Sequence, residues 1–212
     1  MPSLPIPGTL LVVKTASILF LASAIGLSSL SVTRSASALG PVDVEVAAKV
    51  GGGTNPLGDV TYLNPPAKQP NPLGFGLGAR AGVSILGFYG GVSFMDYLGT
   101  SRVNQGVTDS LKSVLYGVEV GYNIGVPLLT FRPQLGIGNY TQSESLSGTP
   151  TGEPSAPTTH YSANSLYLEP GVTGLLSFGL WIVGADANLL YLPGVSNPQA
   201  ALTAHGQVGM KF

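Results

Sequence analysis

From residue 42 onward, apolar and polar residues alternate in eight segments, the period of a β-strand with one apolar side. The last eleven residues show it most plainly. Leu202, Ala204, Gly206, Val208, Met210 and Phe212 form one face, apolar or glycine, and Thr203, His205, Gln207, Gly209 and Lys211 form the other. The segments fall at roughly 42–51, 73–83, 88–98, 113–125, 128–140, 161–175, 180–190 and 202–212. In the first, Val42, Val44, Val46, Ala48 and Val50 oppose Asp43, Glu45, Ala47 and Lys49. In the second, Leu73, Phe75, Leu77, Ala79, Ala81 and Val83 oppose Gly74, Gly76, Gly78, Arg80 and Gly82. The fourth sets Val114, Tyr116, Val118, Val120, Tyr122 and Ile124 against Glu119 and Asn123, and the fifth sets Leu129, Phe131, Leu135 and Ile137 against Arg132 and Gln134.

The connections alternate in length. Residues 52–72, 99–112, 141–160 and 191–201 are long and rich in Pro, Gly, Ser, Thr and Asn; residues 84–87, 126–127 and 176–179 are short. Long loops at one end and tight turns at the other are the pattern of a membrane β-barrel. A soluble β-sandwich has no reason to sort its loops this way.

Parity also sorts the charges. Asp43, Glu45, Lys49, Arg80, Glu119, Arg132, Glu169, Asp186 and Lys211 all take the polar face, and only Asp96, beside a long loop, does not. A soluble sheet would show the same alternation with the burial reversed. The low total charge, the sorted loops, the N-terminal segment and the terminal Phe212 together favour the membrane. Charged residues are 9% of the 212, against about 25% in ordinary soluble domains. Thirty glycines and seventeen prolines argue against long helices. The net charge of −1 gives no reason to expect nucleic acid as a partner. With no cysteine there is no disulfide framework, thiolate metal site or lipid-anchored N-terminal cysteine.

Lys14 precedes an apolar run, Ala16 to Leu30, followed by Ala36-Ser37-Ala38: a charged start, an apolar middle and a small-x-small exit. Residues 1–38 are therefore expected to be a signal peptide cleaved after Ala38, and 39–212 the barrel domain. A retained transmembrane helix is the alternative, since the run nearly spans a bilayer if extended to Val32. Its serines and small-residue exit favour cleavage.

The terminal alternating strand ending on Phe212 resembles the C-terminal signal of bacterial outer-membrane barrels. The mature chain resembles, over nearly its whole length, the small eight-stranded barrels of the OmpA-like and OmpX-like type. The expected fold is thus all-β: an eight-stranded antiparallel up-and-down transmembrane β-barrel. The resemblance implies a monomer in the cell outer membrane. It would sit among outer-membrane lipid and lipopolysaccharide, inserted by the barrel assembly machinery, with no trailing peptidoglycan-binding domain. Val208, Met210 and Phe212 would be the assembly signal.

An eight-stranded interior is just wide enough for side chains to fill. Gly74, Gly76, Gly78, Gly82, Gly117, Gly121, Gly136 and Gly138 would leave room for the inward charges and for Tyr89, Tyr97 and Tyr167. Unpaired charge in such a space is costly. Glu45, Lys49, Arg80, Glu119, Arg132, Glu169 and Asp186 are expected to form a lumen network of ion pairs rather than line a pore. Aromatic residues sit near the segment ends, Phe88, Phe131, Trp181 and Phe212 on the short-turn side and Phe75, Phe94, Tyr116 and Tyr191 nearer the long loops, as two interfacial girdles would.

No catalytic, cofactor or metal constellation is evident. His205 is expected inside, hydrogen-bonded. His160-Tyr161-Ser162 resembles the active strand of outer-membrane lipid A deacylases, but Glu169, the carboxylate nearest in that strand, has the opposite parity to His160. Glu169 and Asp186 would face each other if their turn centred on Ser177 and Phe178. The expected role is non-enzymatic, with surface loops for binding or envelope stabilisation. A narrow channel for small molecules and a lipid A-modifying enzyme are the alternatives.

Phe212 yields a test. Its removal takes one anchor from a finished barrel but takes away the residue that, by resemblance, the assembly machinery reads. The truncated chain is expected to accumulate in the periplasm, yet to refold in detergent in vitro. Normal outer-membrane levels of truncated chain in fractionated cells would show that Phe212 is not an assembly signal.

Overall fold

The computed structural model describes residues 42–54, 59–60, 67–68, 70–104, 107–126, 128–148, 159–193 and 200–212. The expected leader and its cleavage site at Ala38 lie outside them. Eight long strands account for most of the described chain: β1 (Val42–Gly53), β2 (Gly76–Ile85), β3 (Phe88–Asn104), β4 (Val107–Tyr122), β5 (Leu129–Gly148), β6 (Thr159–Phe178), β7 (Trp181–Tyr191) and β8 (Ala200–Lys211). Each pairs antiparallel with its neighbour in sequence, and β8 returns to pair with β1, so the sheet closes. A short piece, Ile124–Val126, continues β4 alongside β5. A two-residue ribbon, Asp59–Val60 with Ala67–Lys68, lies between β1 and β2.

The closing seam begins at the last residue. Val44 N–H donates to the Phe212 carbonyl at 3.0 Å and Phe212 N–H to the Val44 carbonyl at 2.9 Å. The register then runs from Glu45 opposite Lys211 to Gly53 opposite Thr203. Closure satisfies the edge amides that lipid cannot. The outside is apolar on every strand: Val46, Leu77, Val92, Val118, Ile137, Leu176, Val183 and Val208 are all exposed. Exposed aromatic residues bound this belt, with Phe88, Phe131, Phe178 and Trp181 at the short-turn end and Phe75, Phe94, Tyr116 and Tyr191 at the other. An apolar surface of this extent does not persist in water, and on a closed barrel it is the lipid face.

Two of the tight turns follow hairpin chemistry. Ile85 pairs with Phe88 around Leu86 and Gly87, both at positive φ (53° and 88°), a type I′ turn. Phe178 pairs with Trp181 around Gly179 at φ 64°, as a type II′ turn requires.

Three expectations are corrected. First, residues 99–112 and 141–160 are not simply loops. β3 and β4 stay paired to Asn104 opposite Val107, β4 and β5 to Val107 opposite Gly148, and β5 and β6 to Leu146 opposite Thr159. β5 and β6 are 20 residues each, about twice the 9–11 residues a bilayer needs. They and their neighbours project from the long-loop end as a four-stranded sheet. Second, the second strand begins at Gly76, not residue 73. Residues 70–75 are a strap tucked into the barrel mouth, with Leu73 wholly buried rather than facing lipid. Third, the turn after β6 centres on Gly179 and Leu180, so Asp186 lies opposite Thr173 and Glu169 opposite Gly136.

Candidate functional site: the filled lumen

All seven charged residues expected in the lumen point into it and are buried. Inward parity places them, and the closed ring brings together side chains far apart in sequence. At the short-turn end, Glu45 on β1 is the hub. Arg132 Nη2, from β5, lies 2.7 and 2.8 Å from its two carboxylate oxygens, and Arg80 Nη2, from β2, lies 3.1 Å from Oε2. Arg132 Nε donates to Asn123 Oδ1 at 2.6 Å, and Asn123 Nδ2 donates to Ser84 Oγ at 2.9 Å. The Arg132 guanidinium also stacks over the Tyr89 ring, 3.8 Å from its centroid, with that of Arg80 at 5.5 Å.

Glycine makes room for that ring. Across β1 to β4 the row reads Glu45, Gly82, Gly91, Glu119. A Cβ at Gly82 would come within 2.6 Å of the Tyr89 hydroxyl, so the ring lies on bare backbone between two carboxylates. Glu119 is as deeply buried as the others but joins no ion pair within 4.0 Å among the described residues. Among the described residues its Oε2, Arg80 Nε, Arg132 Nη1 and the Tyr89 hydroxyl have no hydrogen-bond partner.

A second group lies nearer the long-loop end. Lys49 Nζ is 3.1 Å from Asp186 Oδ2. Asp186 Oδ1 accepts from Asn188 Nδ2 at 2.7 Å and meets His205 Nδ1 at 2.6 Å. His205 Nε2 lies 2.7 Å from the Tyr97 hydroxyl. Glu169 accepts from the Thr203 hydroxyl at 3.0 Å and forms no ion pair among the described residues. Thr173 donates to Gln134, which reaches towards Asn188. The carboxylate, imidazole and hydroxyl of Asp186, His205 and Tyr97 are in line like a nucleophile relay. All three are buried, and a nucleophile must meet its substrate.

Above this group the lumen turns apolar. Leu73 packs with Met95, Tyr97, Leu115, Tyr140, Tyr167, Leu190, Leu192 and Ala201. The strap that carries Leu73 is fastened on several sides. Asn71 Nδ2 donates to the Gly53 carbonyl at 2.8 Å, Asn71 N–H to Thr100 Oγ1 at 2.6 Å and Ser113 Oγ to the Pro72 carbonyl at 2.8 Å, while Gly53 N–H donates to the Leu73 carbonyl at 2.6 Å. Sequence parity gave no warning of this cap.

His160 and Ser162 are exposed on the projecting sheet while Glu169 is buried in the lumen, so the three do not assemble. At the short-turn rim, Asp43 and Lys211 pair at 2.9 Å while partly open to solvent.

Known structures share this architecture. A major outer membrane protein of Thermus thermophilus aligns with a TM-score of 0.58 at 14% identity, over 82% of this chain and 100% of that one. The fold is that of the small eight-stranded outer-membrane β-barrels. Neisserial surface protein A aligns at 0.52 and 16% identity, over 81% of this chain and 97% of its own. Ail, the attachment invasion locus protein of Yersinia pestis, aligns in its complex with the heparin analogue sucrose octasulfate at 0.51 and 13%, over 82% and 100%. No protein-family model matches the chain, and no curated protein matches it.

The geometry ranks the two arginines. Arg132 makes both short contacts to Glu45 and the stack on Tyr89, whereas Arg80 makes one longer contact. Arg132→Ala is expected to destabilise the barrel by about 3–5 kcal/mol, the cost of leaving a buried charge without its partner, and Arg80→Ala by less. Urea unfolding in detergent micelles checks this; equal midpoints for both variants and wild type would refute the network.

Proposed function

We propose that the protein is a non-enzymatic outer-membrane barrel that binds a partner outside the cell through its projecting sheet. The observation that carries this is the overrun of β3–β6. A bilayer needs no more than about half of β5 or β6, and the excess is ordered sheet. The outer part of β6 pairs with β5 on one side and, among the described residues, with no strand on the other. Such an edge offers backbone donors and acceptors to an added strand.

The chemistry of the sheet narrows the partner. Its polar residues are mostly Ser, Thr, Asn and Gln, with Val103 and Tyr161 strongly exposed. Its charges are mixed: Arg102 and Lys112 against Asp109 and Glu144. Burial raises the carboxyl of Asp109 above the usual range, opposed by Arg102, and burial together with Asp109 raises that of Glu144. This is not the basic surface a polyanion needs, so the heparin analogue held by Ail does not transfer. A protein with an extended, polar segment fits better. Outer-membrane lipid and lipopolysaccharide surround the belt below, and delivery through the barrel assembly machinery is part of the same proposal. The filled lumen weighs against a channel, and the scattered His160, Ser162 and Glu169 against a lipid A-modifying enzyme.

The paired registers give a clean deletion. Residues 101–110 and 144–161 can each be replaced by a tight turn, because Thr100 faces Leu111 and Ser143 faces Ser162. The trimmed barrel is expected to assemble and unfold like wild type, yet to lose retention on one of a panel of immobilised extracellular proteins that holds the full-length protein. Equal retention of both forms would refute the proposal. Loss of detergent resistance in cells carrying the trimmed form, without any difference in retention, would favour envelope stabilisation instead.

A further inference from the structure

The outward face of β3 to β6 changes chemistry partway along the strands. Phe94, Tyr116, Asn139 and Leu166 stand in register across these four strands. Exposed Phe94 and Tyr116 mark this row as the headgroup level of the outer leaflet. Towards the short turns the same parity carries Val92, Val118 and Ile137, which face lipid. Away from the membrane it carries Asp96, Val114, Thr141 and Asn164, and then Lys112, Ser143 and Ser162. A further row joins Ser101, Ser110, Ser145 and His160. The bulge between Tyr97 and Thr100 keeps Ser101 on this side, where Ser110 Oγ donates to Ser101 Oγ at 2.9 Å. Side chains alternate along a strand, so all these rows point away from the barrel axis, as Tyr116 does.

Continuity with the lipid face says what stands beside this wall. A surface that meets acyl chains below the aromatic row meets lipid headgroups just above it. The side chains say which kind. Phosphate headgroups are held by clustered Arg and Lys. The wall carries one ammonium, Lys112, and one carboxylate, Asp96, while Arg102 has the opposite parity to Ser101. Its other polar groups are neutral hydroxyls, one amide and one imidazole. A hydroxyl both donates and accepts, and so matches the hydroxyls of a sugar. Such a hydrogen bond gains little against water. A lipid held in the same membrane, however, meets the wall at high effective concentration.

We propose that the outward face of β5 and β6 just above the aromatic row, built from Thr141, Ser143, Ser162 and Asn164, binds the uncharged sugar headgroup of an outer-leaflet glycolipid. Ser143, Ser162 and Asn164 are exposed and Thr141 is half-buried beside Asn164. Among the described residues only β3 to β6 continue as sheet above this level, so the barrel has one headgroup-binding side and is not uniformly coated. A protein partner at the edge of β6 would engage its backbone groups. The glycolipid face is therefore a separate surface and stands whether or not that edge is used.

The test places the full barrel in nanodiscs of phosphatidylcholine, phosphatidylglycerol and a dihexosyl diacylglycerol, all with the same acyl chains. The apolar belt cannot tell such lipids apart, so any preference comes from the headgroup. Lipids retained by the protein are counted by native mass spectrometry. The glycolipid is expected to be enriched about threefold over its share of the bilayer, the weight of one modest net hydrogen bond, and phosphatidylglycerol not at all. The triple variant S143A/S162A/N164A is expected to lose the enrichment. Tyr161→Ala, exposed on the opposite face of β6, is expected to keep it. Retention of all three lipids in proportion to their share would overturn the proposal, as would a preference for phosphatidylglycerol. So would undiminished enrichment in the triple variant, or an equal loss in Tyr161→Ala. Should the triple variant fail to fold, Ser162→Ala takes its place. It is expected to lower the enrichment to about half, and an unchanged value would overturn the proposal.

Discussion

The pairing of β8 with β1 is the constraint from which the rest of this barrel follows. A sheet in lipid cannot leave an edge open, because each unpaired amide there costs several kcal/mol. The seam that meets this demand runs from Val44 and Phe212 to Gly53 and Thr203. Once it is closed, the inside is a space of fixed width, and inward polar side chains meet their partners across it. That is why Glu45 finds Arg132, 87 residues away, and His205 finds Tyr97, 108 residues away.

The lumen answers this demand in layers. Near the short turns, guanidiniums and carboxylates gather round Tyr89. In the middle, Asp186 collects Lys49, Asn188 and His205. At the mouth, Leu73 closes an apolar cap. Buried ion pairs are not in themselves a strong source of stability, since an apolar filling often does as well. They do penalise error. A one-residue slip of β1, β2, β4, β5, β6 or β7 would turn its carboxylate or arginine into lipid and its outward apolar residues into the lumen. The charges thus specify register in a sheet whose outer face, apolar all round, tolerates many registers.

Much of this was legible in the sequence. Alternation marked eight strands, and parity placed Glu45, Arg80, Arg132 and Asp186 inside, because side-chain direction in a strand is fixed by counting. Partner choice was not legible. Parity says that Glu119 and Arg132 share an interior; only the register of the closed ring shows that Glu45 takes both arginines and Glu119 none. The projecting sheet escaped notice because Ser, Thr and Gln occupy both of its faces, leaving no period to read. Leu73 misled for the opposite reason. It continues the apolar parity of Phe75 and Leu77, yet Pro72 lacks the amide a ladder needs, and the chain at that point folds into the mouth instead of joining the wall. The relation of Glu169 to Asp186 turned on where one hairpin bends, and Gly179 with positive φ put the bend two residues beyond Ser177.

The central claim is that closure produces a filled, capped interior and not a passage. Single-channel recording from purified wild-type protein in a planar bilayer tests it most directly. The packed charges beneath the Leu73 cap predict a barrel that inserts but carries no steady current. A large, persistent conductance from barrels with their strap intact would contradict the account.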